Sequence, residues 1–155
     1  MSDDDKRKIR FAEADTTRKR DSLKRQEKAL DKCKKEGGSC AAIEDGVKKT
    51  KKTLSKLTKE EKKLKYDIAD KDVQRLARKK KKAIKNVKHY QGYRKRGSIN
   101  KQNCLRKGGA CNLEKKALQE VERKLEQKKK IEREIKKQYS ESIRNRNKHK
   151  LKLKL

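Results

Sequence analysis

Four cysteines and one long band of cations are the residues of this chain whose types and spacing could do chemistry. Cys33-Lys-Lys-Glu-Gly37-Gly38-Ser-Cys40 recurs, displaced by 71 residues, as Cys104-Leu-Arg-Lys-Gly108-Gly109-Ala-Cys111. Two cysteines with six residues between them, a Gly-Gly among these, have three possible fates. They can form a local disulfide, remain thiols, or give thiolates to zinc. Local bridges, Cys33 to Cys40 and Cys104 to Cys111, suit the facing ends of two antiparallel helices joined by a tight turn. Closing so small a loop contributes about 2–3 kcal/mol in the chain-entropy account. A zinc site would need both cysteine pairs to converge, and its usual signature has only two intervening residues. Thiols are what a reducing compartment would leave. The reading favours the two local bridges, with no metal and no cofactor.

The cations are unevenly spread. Residues 1–72 hold 23 basic and 16 acidic residues, whereas residues 73–155 hold 30 basic and 7 acidic. Between Asp72 and Glu114 there is no carboxylate at all, and 14 cations fall in that window. They are Arg75, Arg78, Lys79, Lys80, Lys81, Lys82, Lys85, Lys88, Arg94, Lys95, Arg96, Lys101, Arg106 and Lys107. Such a stretch repels itself unless something neutralises it, and each cation that displaces a condensed counterion from a nucleic acid gains from the ion's release. Tyr90 and Tyr93 stand among these cations beside His89, where rings suit stacking on bases. The tail adds Arg144, Arg146, Lys148, Lys150, Lys152 and Lys154 with no acid. These residues are the expected nucleic-acid surface. A face that is merely solvated is normally mixed in sign, as in residues 114–141. No zinc finger, RNP aromatic pattern or GxxG clamp points to base-specific reading.

The duplicated cysteine pair is similar to that of the helical hairpins of the CHCH type. There each pair lies along one helix and bridges to the other; here the spacer holds Gly-Gly, and the chain is not assigned to that family. Catalysis has little support. The two histidines, His89 and His149, lie in basic segments without a carboxylate partner, and no phosphate loop or nucleophilic triad is present, so no enzyme is expected.

These residues must be positioned by a chain that is 49% charged, carries a net +30 and has no proline. Ile, Leu, Val, Met and Phe number 27 of 155, about 17%. That is below the roughly 20% at which a strongly charged chain can offset its ordering entropy with a compact core. A conventional globular enzyme with a buried pocket is therefore not the expectation, and no apolar run reaches the ~18 residues that cross a bilayer. The pattern is nonetheless helical. Ile9, Ala12, Thr16, Lys19, Leu23, Gln26, Leu30 and Cys33 alternate by three and four, as do Ile43, Val47, Thr50, Leu54, Leu57, Glu61, Leu64 and Ile68. Val73, Leu76, Lys80, Ala83, Val87 and Tyr90 continue the rhythm, and Leu118, Val121, Leu125, Ile131, Ile135, Tyr139 and Ile143 follow with a drift towards four. Glu61/Lys65, Glu120/Lys124, Glu126/Lys130 and Glu132/Lys136 are spaced to pair along a helix, at about 0.3–0.5 kcal/mol each.

The expectation is an all-α chain of elongated tandem helical hairpins, two repeats offset by 71 residues, with a thin coiled-coil-like core. Residues 1–71 form the first hairpin, turning at Gly37-Gly38. Residues 72–142 form the second, strongly basic one, turning at Gly108-Gly109, and residues 143–155 form a basic tail. The link at Tyr66–Asp72 lacks Gly and Pro and reads as continuous helix. Lys88–Ser98, with two glycines, reads as a break, and the tail reads as disordered on its own.

Two functions survive. One is a non-enzymatic binder that neutralises, condenses or clamps DNA or RNA without sequence preference. The other is a structural component of a virion or other large assembly, its bridged hairpins joining neighbours and its basic half facing acidic protein surfaces or a genome. Neither needs integral membrane contact. The acidic start, Met1-Ser2-Asp3-Asp4-Asp5, is not a signal peptide, so the expected location is nucleus, cytoplasm or virion.

Overall fold

The computed structural model describes residues 2–154, with side chains through Leu153. Among them are three helices, α1 (Asp3–Lys35), α2 (Ala41–Arg106) and α3 (Asn112–Lys154), and no strand. The all-α expectation therefore holds. α1 starts where the sequence places a cap and acids. The Ser2 hydroxyl accepts from the Asp5 N–H at 3.1 Å while the Asp5 carboxylate accepts from the Ser2 N–H at 3.2 Å. Asp3, Asp4 and Asp5 then lie against the positive end of the helix dipole.

α1 and α2 end in the same way. Gly37 and Gly108 take φ of 72° and 71°, the left-handed region that an L side chain resists. The next glycine folds back in each case, the Gly38 N–H donating to the Cys33 carbonyl and the Gly109 N–H to the Cys104 carbonyl, both at 3.3 Å. The following helix then begins, with the carbonyls of Cys40 and Cys111 accepting its first N–H bonds, from Glu44 and Lys115.

The chain divides into two compact units. Unit 1 takes the residues up to Lys71 together with the chain from Asn145 onward, and unit 2 is Asp72–Arg144. In unit 1 the inward residues of α1 and α2 are those of the three-four stripes, with Thr16, Val47, Thr50, Ile68 and Ala69 buried. A polar layer runs through this stripe. Lys65 reaches Glu13 on α1 at 2.8 Å and also pairs with Glu61 one turn away. Burial raises the Glu61 carboxyl, but hydrogen bonds from Lys65 and Thr16 outweigh it and hold Glu61 below its ordinary value. In unit 2 the core is more apolar: Val73, Leu76, Ala83, Val87, Cys111 and Leu125 are buried.

Four expectations need correction. First, α2 does not break at Lys88–Ser98; it stays helical through Gly92 and Gly97. A mid-helix glycine costs about 1 kcal/mol. At Gly97 the missing side chain has a use, since an added Cβ would meet Leu118 Cδ1 at 3.3 Å. Second, the tail is not disordered. α3 continues through Lys154, and Arg146 donates to Asp70 of α2 at 3.2 Å. Its lysine-leucine alternation does not make it a strand, because a preceding helix with neither Gly nor Pro propagates at low cost. Third, Ile131 is not inward. The inward run of α3 is Glu114, Leu118, Val121, Leu125, Lys128, Glu132, Ile135, Tyr139, Ser142, Arg146 and His149, alternating three and four, with Lys124, Lys129 and Ile143 half-buried on its flanks, and Ile131 is left 49% exposed. Fourth, Glu126 turns from Lys130 to Lys129 and Arg133, at 3.6 and 3.1 Å, while the other three expected pairs form.

Candidate nucleic-acid interface

An unbroken α2 sets the geometry of the basic band. Helical spacing puts Arg78, Lys81, Lys82, Lys85, Lys88 and Arg96 on one face, opposite Val73, Leu76, Ala83 and Val87. All six are exposed. From Arg78 to Arg96 the stripe extends about 27 Å at 1.5 Å per residue. It is uninterrupted because α2 stays helical through Gly92. The same six cations on two helices with a turn between them would not share one face.

The other expected residues divide by their surroundings. Lys79 and Lys95 are exposed on the flanks of α2, Arg106 closes the helix, and Lys107 stands in the turn; both of the last two are exposed. Lys101 is half-buried. Lys80 is half-buried with its ammonium 4.7 Å from the centre of the Tyr139 ring, a cation–π contact inside unit 2. Arg75 and Arg94 already hold carboxylates, Asp72 at 3.0 Å and Glu122 at 3.1 Å. Tyr90 is half-buried on the inward face, with Lys128 6.0 Å from its ring centre. Tyr93 is 41% exposed, packs edge-on against His89 at 4.5 Å, and carries Arg96 4.8 Å over its ring. Tyr93, His89 and Arg96 thus form one exposed aromatic–cation group, and Tyr90 belongs to the packing.

On α3, Arg144, Lys148, Lys150 and Lys152 are exposed. Arg146 is turned inward on Asp70 and does not share their surface. The side chain of Lys154 lies outside the described residues. His149 is half-buried, and burial, reinforced by Lys152, Lys65 and Lys148, pushes its imidazole below the ordinary value of 6.5. Sequence reasoning passed over Lys128, which joins Lys79 and Lys82 around an opening between α2 and α3. The signal for it was its place in the three-four rhythm of α3, hidden by the more apolar Ile131.

The cysteines stand in two pairs at disulfide distance. Cα atoms are 6.0 Å apart for Cys33 and Cys40 and 5.9 Å apart for Cys104 and Cys111. Each pair ties the last turn of one helix to the residue that starts the next. Glu114 brings a carboxylate oxygen within 4.8 Å of the second pair, but sulfurs bonded to one another offer no thiolate to a metal. Among the described residues no helix is long and apolar enough to cross a membrane.

Fold and surface together define an all-helical, cysteine-paired polycation. No family model, curated protein or solved structure matches the chain.

Proposed function

We propose that this is a non-enzymatic nucleic-acid-binding protein, built as two tandem coiled-coil-like helical hairpins, that neutralises or clamps DNA or RNA through backbone phosphates. The observation that carries the reading is the exposed, carboxylate-free stripe of Arg78, Lys81, Lys82, Lys85, Lys88 and Arg96 along one face of a single helix. Phosphate contact needs only charge in register along a line, whereas base reading needs side chains aimed into a groove. On α3 the tail exposes further cations, Arg144, Lys148, Lys150 and Lys152.

A salt series on non-specific duplex DNA and on RNA tests this. If all six stripe cations contact duplex phosphates, the logarithm of the affinity falls with a slope of about −5 against the logarithm of salt concentration. Affinity then drops about 10³-fold between 50 and 200 mM. Negligible binding at about 100 mM salt would overturn the reading.

The two cysteine-bridged tips favour a second reading, a structural component of a virion or similar assembly, because bridged turns stiffen a chain with so little apolar core. That reading predicts assembly with acidic protein surfaces and no steep salt dependence on free oligonucleotides.

A further inference from the structure

Unit 2 leaves a groove of about 320 Å³ open between α2 and α3. Ala83, Ile131 and Ile135 form its apolar wall, Lys79, Lys82 and Lys128 form its rim, and no carboxylate lines it. Ile131 is 49% exposed there because the inward rhythm of α3 passes through 128, 132 and 135 and leaves residue 131 on the lip. Apolar floor and cationic rim ask different things of an occupant. The floor asks for aliphatic side chains at helical spacing, and the rim asks for carboxylates flanking them.

Unit 1 shows how this chain closes a helix pair. A third helical segment, the end of α3 from Asn145, belongs to that unit and is held by charge. It is basic, and it places Arg146 on Asp70 at 3.2 Å with His149 half-buried. No comparable third segment belongs to unit 2 among the described residues, and its groove offers lysines where Asp70 receives the third segment of unit 1. We propose that the groove of unit 2 takes an acidic amphipathic helix from a protein partner. The aliphatic stripe of that helix seats on Ile131, Ile135 and Ala83, and its Asp and Glu side chains reach Lys79, Lys82 and Lys128. A nucleic acid gains nothing from an isoleucine floor, and its expected surface is the outer stripe of α2. A second copy of this chain would bring a net +30 against a cationic rim. The inference is independent of the nucleic-acid reading.

The test uses the full-length, oxidised protein at about 150 mM salt and two synthetic 21-residue peptides of identical Glu-Leu composition. One has leucines at helical three-four spacing, the other the same residues scrambled. The amphipathic peptide is expected to bind one to one, at least ten-fold tighter than the scrambled one. Ile131→Glu should cost it at least ten-fold and Ile131→Leu should restore it, while oligonucleotide affinity stays within two-fold. Lys79→Ala with Lys128→Ala, which leaves the floor and the outer stripe intact, should weaken the peptide several-fold and serves as the second variant. Equal binding of both peptides, or no effect of Ile131→Glu, would overturn the proposal. So would loss of oligonucleotide binding in Ile131→Glu, which would make the groove a nucleic-acid surface. A concentration-dependent dimer that Ile131→Glu dissolves would overturn it as well, by making the occupant a second copy.

Discussion

Units 1 and 2 solve the same problem, a helix pair with few apolar residues, in opposite ways. Unit 1 fills part of its stripe with polar groups, Thr16, Gln26, Thr50, Glu61 and Lys65, and adds a third helical segment. Unit 2 has the larger apolar core and no third segment; both units keep an opening on their surface, about 350 Å³ beside Leu23 and Leu54 in unit 1 and about 320 Å³ beside Ile131 in unit 2. The difference follows charge. Counted by unit, net charge is +13 for unit 1 and +17 for unit 2, since the tail brings five cations to unit 1. Unit 1 has carboxylates to receive them, and ion pairs across its helices, Lys65 to Glu13 and Lys51 to Glu27, help hold it. The α2 half of unit 2 has no acid after Asp72, so apolar burial there must offset repulsion that pairing cannot. The unit with fewer carboxylates to pair its cations is the one that leaves them facing outward.

The strongest test of that contrast moves the same number of charges in each unit. Replacing Arg78, Lys81, Lys82, Lys85, Lys88 and Arg96 by Gln should lower affinity for non-specific duplex at least 100-fold at about 100 mM salt and flatten the salt slope. Replacing six exposed cations of α1, Arg10, Arg20, Lys24, Arg25, Lys28 and Lys35, should change it less than about five-fold. Filter binding or fluorescence anisotropy reads both. Equal losses would mean that net charge alone matters and that the stripe has no special role.

The cores should respond with opposite signs. Leu125, 3% exposed, is the most deeply buried aliphatic side chain of unit 2, and Leu125→Ala is expected to cost about 3 kcal/mol in urea unfolding. In unit 1 the buried Oε1 of Gln26 has no hydrogen-bond partner. Gln26→Leu should therefore stabilise the protein by about 1 kcal/mol, because it removes an unsatisfied polar group and keeps a side chain of similar size. A destabilising Gln26→Leu would show that the polar layer is held by contacts beyond those described.

How far this was legible in the sequence depends on whether the rhythm and the residue types agreed. Along α1 and α2 apolar and small residues carried the three-four spacing across the few polar positions, Lys19, Gln26, Glu61 and Lys80, and all the positions it named, from Ile9 to Tyr90, are half-buried or buried. On α3 they diverged. Ile131 drew the reading off register, while the true inward positions were Lys128, Glu132, Arg146 and His149, which no hydropathy argument selects. Gly92 and Gly97 pointed to a break because local propensity was weighed without the packing of Gly97 against Leu118. The basic surface was legible as composition, since an acid-free window needs no structure to see. The division of its members between outward stripe, inward ring contacts and ion pairs was not, because that depends on helical phase and on partners up to 76 residues away, such as Asp70 for Arg146.

The two tips differ less than the two cores, and breaking them should sharpen the comparison. Replacing Cys33 and Cys40 by Ser is expected to cost about 2.5 kcal/mol, the loop-closure contribution for so short a span. For Cys104 and Cys111 the expected cost is lower by about 1 kcal/mol, because Cys111 sits at φ 53°, a left-handed conformation costly for a residue with a Cβ. Freed of its partner, residue 111 can leave that region. Chemical denaturation of the two double variants checks the order; equal costs would mean that the turn holds residue 111 there whether or not it is bridged.

The smallest effect concerns the third segment of unit 1. His149 lies half-buried near Lys65, Lys148 and Lys152, and its imidazole titrates below 6.5 in the folded chain. The folded protein therefore binds fewer protons at this site than the unfolded one. The site's contribution is present above pH 6.5 and is lost as pH falls from 6.5 through the lower folded value. The neighbouring Asp70–Arg146 contact, at 3.2 Å, is a second anchor of the segment. Amide exchange in residues 145–153 should accelerate modestly between pH 7 and pH 5.5, after correction for intrinsic rates, while exchange in the Val73–Val87 core of unit 2 stays constant. His149→Leu should abolish the pH dependence and leave the exchange rate at its pH 7 level. A dependence that persists in His149→Leu would place the titrating group elsewhere and leave burial of His149 without consequence for docking.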